Sequence, residues 1–170
     1  SDVTRTYPAN GRFTTEQRAI YEVVLAAQKA AIAKIRPGAP HDDIEQASAR
    51  VQTEGLVKLG LLTGDPEKLI ADHAYSKWTL HGVSHWVGLD VHDSGGYRHE
   101  GASRKLEPGM VLTVEPGIYV PAKAPGVDPK WWNIGIRIED TVAVTPTGSE
   151  CLSCLAPKEL ADVEKAVGKK

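Results

Sequence analysis

Apolar residues between Thr14 and Ile35 recur at helical spacing, as Ile20, Val24, Ala27, Ala31 and Ile35, which gives one long helix a single buried face. Thr14 and Gln17 form a capping box at its start, and Pro37-Gly38 stops the run. A second helix is predicted from about His41 to Lys58, carrying Ile44, Ala47, Val51 and Val57, and a short third from Asp65 to about Ala74. From about Leu80 the period changes to two, with β-branched residues and Gly or Pro punctuation, so the remainder reads mainly as strands. In MVLTVEPG, Val111, Thr113 and Glu115 share one face and Met110, Leu112 and Val114 the other. In NIGIRIED, Ile134, Ile136 and Ile138 face one way and leave Gly135, Arg137 and Glu139 opposite. The Pro-rich PAKAPGVDPKWWN between them reads as a surface excursion, and the Pro-Gly after Glu107 and after Glu115 suits type II turns. The tail from Pro157, with Leu160, Val163 and Val167, reads as a short closing helix. The opening SDVTRTYPANG is strand-like and then turn-like, as though the chain starts inside an element.

Composition adds one globular domain: 170 residues, 41% hydrophobic and 25% charged, carry enough apolar mass for a core. With 20 basic and 22 acidic residues, and no basic block beyond Lys169-Lys170, there is no electrostatic footprint for nucleic acid or an anionic membrane. A small molecule or peptide is the expected partner. The apolar runs are shorter than a bilayer span and no secretory leader pattern opens the chain, so a soluble cytoplasmic protein is expected. Cys151 and Cys154 form a lone C-x-x-C with no second pair to complete a zinc tetrahedron, and read as two free thiols.

The stretch HGVSHWVGLDVHD sets His81, His85 and His92 among Gly, Val, Leu and Trp, where an unpaired polar ring is costly. Its context is extended, so His81 and His85 are not a helical zinc pair, and H-E-x-x-H is absent. Asp2, Glu115 and Glu139 also fall in strand-like segments, where a buried charge must be paired or bound to a cation. Each residue singly has a plainer reading: a hydrogen-bonded core histidine, an exposed strand end for Glu115, an ion pair with Arg137 for Glu139. Taken as a set, one imidazole with several carboxylates suits manganese, or cobalt or zinc by substitution.

HGVSHWVGLDVHD, LEPGMVLTVEPGIYV and IGIRIEDTVAVTPTG resemble the C-terminal motifs of aminopeptidase P in the pita-bread metallopeptidase family, and DVTRTYPANGRFT resembles that family's earlier aspartate-bearing strand. The similarity runs from Asp2 to about Ser153. Prolidases share the scheme, whereas methionine aminopeptidases have a different histidine block. The resemblance implies an α+β pita-bread fold, an antiparallel sheet with helices on its outer face, incomplete at the N-terminus. It implies that residues 1–170 are the C-terminal portion of a catalytic domain, with the N-terminal domain and the start of the catalytic domain absent.

By the same resemblance, Asp2, His85, Glu115 and Glu139 bind metal, with Asp2 and Glu139 bridging two divalent ions in the intact enzyme. His81 and His92 line the substrate site, Arg137 supports the carboxylates, and Glu115 also handles protons. The implied reaction releases the first residue of a peptide with proline second, the ions acidifying a bridging water and polarising the scissile carbonyl. A prolidase-type Xaa-Pro dipeptidase and a non-catalytic pita-bread peptide-binding module are the alternatives. The implied partners are that peptide, the missing N-terminal part and, when intact, further copies of itself. Asp2 lies one residue from a free end, where chains fray, and a second aspartate ligand is missing. This chain alone is therefore expected to hold at most one ion, weakly, with no appreciable peptidase activity.

Overall fold

The computed structural model describes residues 1–168. Helix α1, Thr15–Ile32, starts at the capping box: the Thr14 hydroxyl accepts from the Gln17 N–H while the Gln17 side chain accepts from the Thr14 N–H. It stops one turn before Ile35, which stays buried in the following turns. Helix α2, Asp42–Lys58, packs against α1. The third helical segment splits into α3, Pro66–Ala71, and a separate 3-10 turn, Ala74–Lys77, because His73 between them takes a left-handed conformation.

Among the described residues seven short strands follow: β1 (Arg98–His99), β2 (Ala102–Ser103), β3 (Val111–Val114), β4 (Gly117–Val120), β5 (Ile134–Arg137), β6 (Asp140–Thr145) and β7 (Gly148–Cys151). All pairs are antiparallel, in a β3-β6-β7 sheet, a β4-β5 ribbon and a small β1-β2 hairpin. Helix α4, Leu160–Val167, ends the described chain and buries Val163. Helix α1 spans two cores. Ile20, Tyr21 and Val24 meet Ile118, Ile134, Ile136 and Ile138 of the ribbon, while Ala31 joins Leu112, Val114 and Val142 of the three-stranded sheet.

The two sheets meet where β3 passes into β4 and β5 into β6. The register sets Val114 opposite Asp140 and Gly117 opposite Arg137, so the connecting residues Glu115-Pro116 and Ile138-Glu139 lie across from one another. This is the joint on which the acidic side chains collect.

Several expectations change. Gly109 does take positive φ (93°), with Met110 N–H bonded to Glu107 O as a type II turn requires, but Gly117 does not. Gly117 instead opens β4, where the Tyr119 hydroxyl fills the space above it: a Cβ there would lie 2.4 Å from that oxygen. The histidine segment forms no full strand. Val83, His85 and Val87 bond along β3, but the His85 N–H goes to the Thr113 hydroxyl instead of a carbonyl, leaving one isolated bridge at Trp86. The Pro-rich excursion plugs the core with Ala124 and Trp131. The cysteines are not free thiols: the turn after β7 returns the chain so that their Cα atoms are 5.6 Å apart, within bridging range, and Cys151 and Cys154 form a disulfide. Among the described residues no helix is long and apolar enough to cross a membrane.

Candidate metal centre

Asp2, His81, His85, His92, Glu115, Arg137 and Glu139 all line one cleft of about 470 Å³ at the joint between the sheets. Strand ends and loops of four separate stretches of chain supply them. The backbone of Asp2 is clamped at both ends, its N–H donating to the Thr141 hydroxyl and its carbonyl accepting from the same hydroxyl, each at 2.8 Å. Thr4 then pairs with Glu139 as a short antiparallel bridge. The fraying expected of Asp2 is thus opposed by a buried threonine.

His85 carries the clearest chemical signal. Its Nδ1 lies 3.0 Å from the Trp86 carbonyl, an acceptor only, so this nitrogen donates, and in the neutral ring Nε2 carries the lone pair. That Nε2 is buried and makes no hydrogen bond among the described residues, although Glu115 Oε1 is 3.1 Å away and Asp2 Oδ2 3.6 Å away. The distances suit an ion pair, but the orientation does not suit a hydrogen bond, and in the neutral ring a lone pair facing carboxylate oxygens is repulsive unless a proton or a metal cation lies among them. A histidine whose other ring nitrogen is fixed by a carbonyl is the usual support for a metal ligand.

The carboxylates agree with this. Glu139 is 2% exposed, and its pKa is raised by burial first and then by the charges of Glu115 and Asp2, against a lowering hydrogen bond from Thr4 and the more distant Arg137. Its Oε2 accepts from the Thr4 hydroxyl at 2.5 Å, and Arg137 Nε donates to that same hydroxyl at 3.2 Å. Arg137 therefore supports Glu139 through Thr4 and not by the direct ion pair weighed from sequence. Glu115 is 13% exposed in its side chain, and its Oε1 accepts from Thr113, whose hydroxyl also receives the His85 N–H. Ligand atoms of His85, Glu115 and Glu139 come within 4.8 Å of one another, as do those of Asp2, His85 and His92. These residues fit a divalent cation.

His92 is exposed at the mouth, its ring edge-on to His85 with centroids 4.3 Å apart, a position open to either ligation or substrate contact. His81 is fixed from both sides: Nδ1 donates to Gly82 O at 2.8 Å and Nε2 accepts from the Tyr119 hydroxyl at 2.7 Å. Burial, partly offset by neighbouring Arg137, pushes the Tyr119 phenol up. Glu45 of α2 accepts the Val83 N–H at 3.0 Å and holds the start of the histidine segment. Sequence reasoning missed Thr4, Thr113, Tyr119 and Glu45 as site residues. Only Thr113 carried a signal, its period-two placement on the face of Glu115.

The profile of metallopeptidase family M24 matches residues 1–146, and the chain belongs to that family. Its fold is the pita-bread fold of that family. It is 49% identical over 166 residues to a Xaa-Pro aminopeptidase of Haemophilus influenzae, covering 96% of this chain and 37% of that protein. It superposes on an aminopeptidase structure from Pseudomonas aeruginosa with TM-score 0.97 and 52% identity, covering 99% of this chain and 38% of that one. A zinc-substituted Escherichia coli aminopeptidase P in complex with product gives TM-score 0.94 and 45% identity, covering 100% of this chain and 39% of that one. The chain thus spans well under half the length of these relatives.

Proposed function

We propose that this chain is the C-terminal portion of the catalytic domain of an Xaa-Pro aminopeptidase, acting on peptides with proline in second position. The observation that carries this reading is the bare His85 Nε2 turned toward Glu115 and Asp2. Asp2, His85, Glu115 and Glu139 would hold the cations, manganese natively, with cobalt or zinc as substitutes. Bound divalent ions would supply Lewis acidity toward the scissile carbonyl and toward a water. Glu115, oriented by Thr113, moves a proton from the nucleophilic water toward the leaving nitrogen. His92 hydrogen-bonds the substrate from the mouth, and His81, held by Tyr119 and Gly82, shapes the proline pocket. Arg137, through Thr4, holds Glu139 in place and opposes the rise in its pKa.

The whole enzyme works in the cytoplasm as a homo-oligomer in this reading, and needs the part that its relatives carry ahead of the matched stretch. By itself the chain holds at most one ion, weakly, and has no appreciable peptidase activity. In the full-length protein, His85→Ala and Glu139→Ala abolish cleavage of an Xaa-Pro-Yaa peptide, because each removes a ligand and leaves the other acids repelling one another. Near-normal turnover by either variant at limiting manganese would refute the assignment. Preference for an Xaa-Pro dipeptide over the longer peptide would favour the dipeptidase reading. His92→Ala should lower turnover by at least about tenfold while keeping metal content, as for a lost transition-state hydrogen bond. Loss of metal together with activity would make His92 a ligand.

A further inference from the structure

Beyond the cleft, the C-x-x-C that the peptidase reading leaves unused sits in a second reactive cluster. The Cys151–Cys154 disulfide closes the end of β7, with Cys151 half-buried and Cys154 exposed. Lys158 Nζ lies 3.1 Å from Cys154 Sγ and donates to Asp140 Oδ2 at 2.8 Å and Gln28 Oε1 at 3.1 Å. Leu152 and Leu155 stand exposed on either side, and a groove of about 400 Å³ runs past Cys154 and Lys158, bordered by Glu159, Asp162 and Lys165. Asp140, Cys151 and Cys154 also bring ligand atoms within 4.8 Å, but the Lys158 ammonium already contacts both Asp140 and Cys154 and would repel a metal ion there. What a lysine beside a sulfur does favour is the thiolate.

We propose that Cys151–Cys154 is a thiol–disulfide exchange site whose reductant is a dithiol and whose leaving group is the Cys154 thiolate held by Lys158. A thiolate of the reductant attacks Cys151 Sγ; a mixed disulfide forms, the Cys151–Cys154 bond breaks, and its electron pair goes to Cys154 Sγ beside the ammonium. The reductant's second thiolate then attacks its own sulfur in the mixed disulfide and releases Cys151, which takes a proton from solvent. Two electrons pass to the protein, and the reductant leaves as its disulfide. The better leaving thiol is the one with the lower pKa, which selects Cys151 as the sulfur attacked. The site depends on neither metal nor peptidase activity.

The purified oxidised chain is exposed to dithiothreitol, or to a thioredoxin-type protein dithiol at equal concentration, and its thiols are alkylated and counted by mass spectrometry. Complete, reversible reduction is expected. Lys158→Gln should slow it on the order of threefold to tenfold, and Lys158→Arg should restore the rate. A faster protein arm identifies a protein reductant and equal arms identify small thiols, and both support an exchange site. In the reduced wild-type chain, Cys154 should alkylate at lower pH than Cys151, a readout that needs no variant. Absence of the disulfide from the oxidised chain, identical alkylation profiles, or an unchanged rate in a folded Lys158→Gln variant overturns the proposal.

Discussion

Glu139 and Asp140 are neighbours in sequence, both buried, and lie on opposite sides of the joint between the sheets in contrasting electrostatic surroundings. Asp140 meets Arg5 at 2.7 Å, Lys158 at 2.8 Å, Gln28 at 2.8 Å and Ser153 at 2.6 Å. Burial alone would push its carboxyl up, but the hydrogen bonds from Arg5, Lys158, Ser153 and Gln28 outweigh it and hold the pKa down. Glu139 has one hydroxyl partner, faces Glu115 and Asp2, and is pushed the other way. A buried carboxylate with its donors supplied by the protein is part of the frame, whereas one surrounded by other acids is stabilised only by a proton or a cation. The alternation of strand faces delivers both kinds from consecutive residues.

The largest expected effect tests the Asp140 side. Asp140→Ala leaves Arg5, 4% exposed in its side chain, and Lys158, 13% exposed, without their shared counter-charge. Breaking a buried pair in this way costs about 3–5 kcal/mol. Chemical denaturation of the metal-free chain should show that loss, while Glu139→Gln should change stability by less than about 1 kcal/mol because it removes repulsion along with a bond. Equal losses would erase the distinction.

Next is the response to a cation. Manganese or zinc should raise the melting temperature of the wild-type chain, by the equivalent of about 2.7 kcal/mol at a concentration one hundred times the dissociation constant. Glu139→Gln should abolish most of that shift. An unchanged shift in the variant would place the ion elsewhere.

The pH dependences should oppose one another. Glu139 has its folded pKa raised above the usual 4.5, so in chelator it favours the fold below 4.5 and that contribution is lost as pH rises through the folded value. Asp140 has its folded pKa lowered below 3.8, so its contribution is complete above 3.8 and disappears as pH falls through the folded value. Subtracting the pH–stability curve of Glu139→Gln from wild type should leave a falling slope above 4.5, and subtracting that of Asp140→Asn a rising slope below 3.8. Two slopes of the same sign would contradict the contrast.

Much of this contrast was legible in the sequence on the Glu139 side and little on the Asp140 side. The alternation in NIGIRIED placed Ile134, Ile136 and Ile138 in the core and Arg137 and Glu139 toward the cleft, because strand periodicity is local. The capping box at Thr14 was legible for the same reason. The partners of Asp140 were not: Gln28 is 112 residues away and Arg5 is 135, and no local pattern encodes such pairings. Thr4, 135 residues from Glu139, was hidden likewise, and the disulfide depended on a turn geometry that C-x-x-C does not specify.

The smallest expected effect concerns the cleft wall. Tyr119→Phe removes the hydroxyl that donates to His81 Nε2 at 2.7 Å but keeps the ring that packs beside Gly117 and Gly135. His81 is 30% exposed in its side chain, so water can replace the lost donor, and the loss should not exceed a typical hydrogen bond, about 0.5–1.5 kcal/mol. A double-mutant cycle with His81→Ala separates the bond from the ring: if the bond is the cause, Tyr119→Phe should cost almost nothing once His81 is gone. A similar cost in both backgrounds would assign the effect to packing. A loss as large as that of Asp140→Ala would mean that the cleft side is frame as well, and that exposure to acids and solvent is not what separates the two faces of the joint.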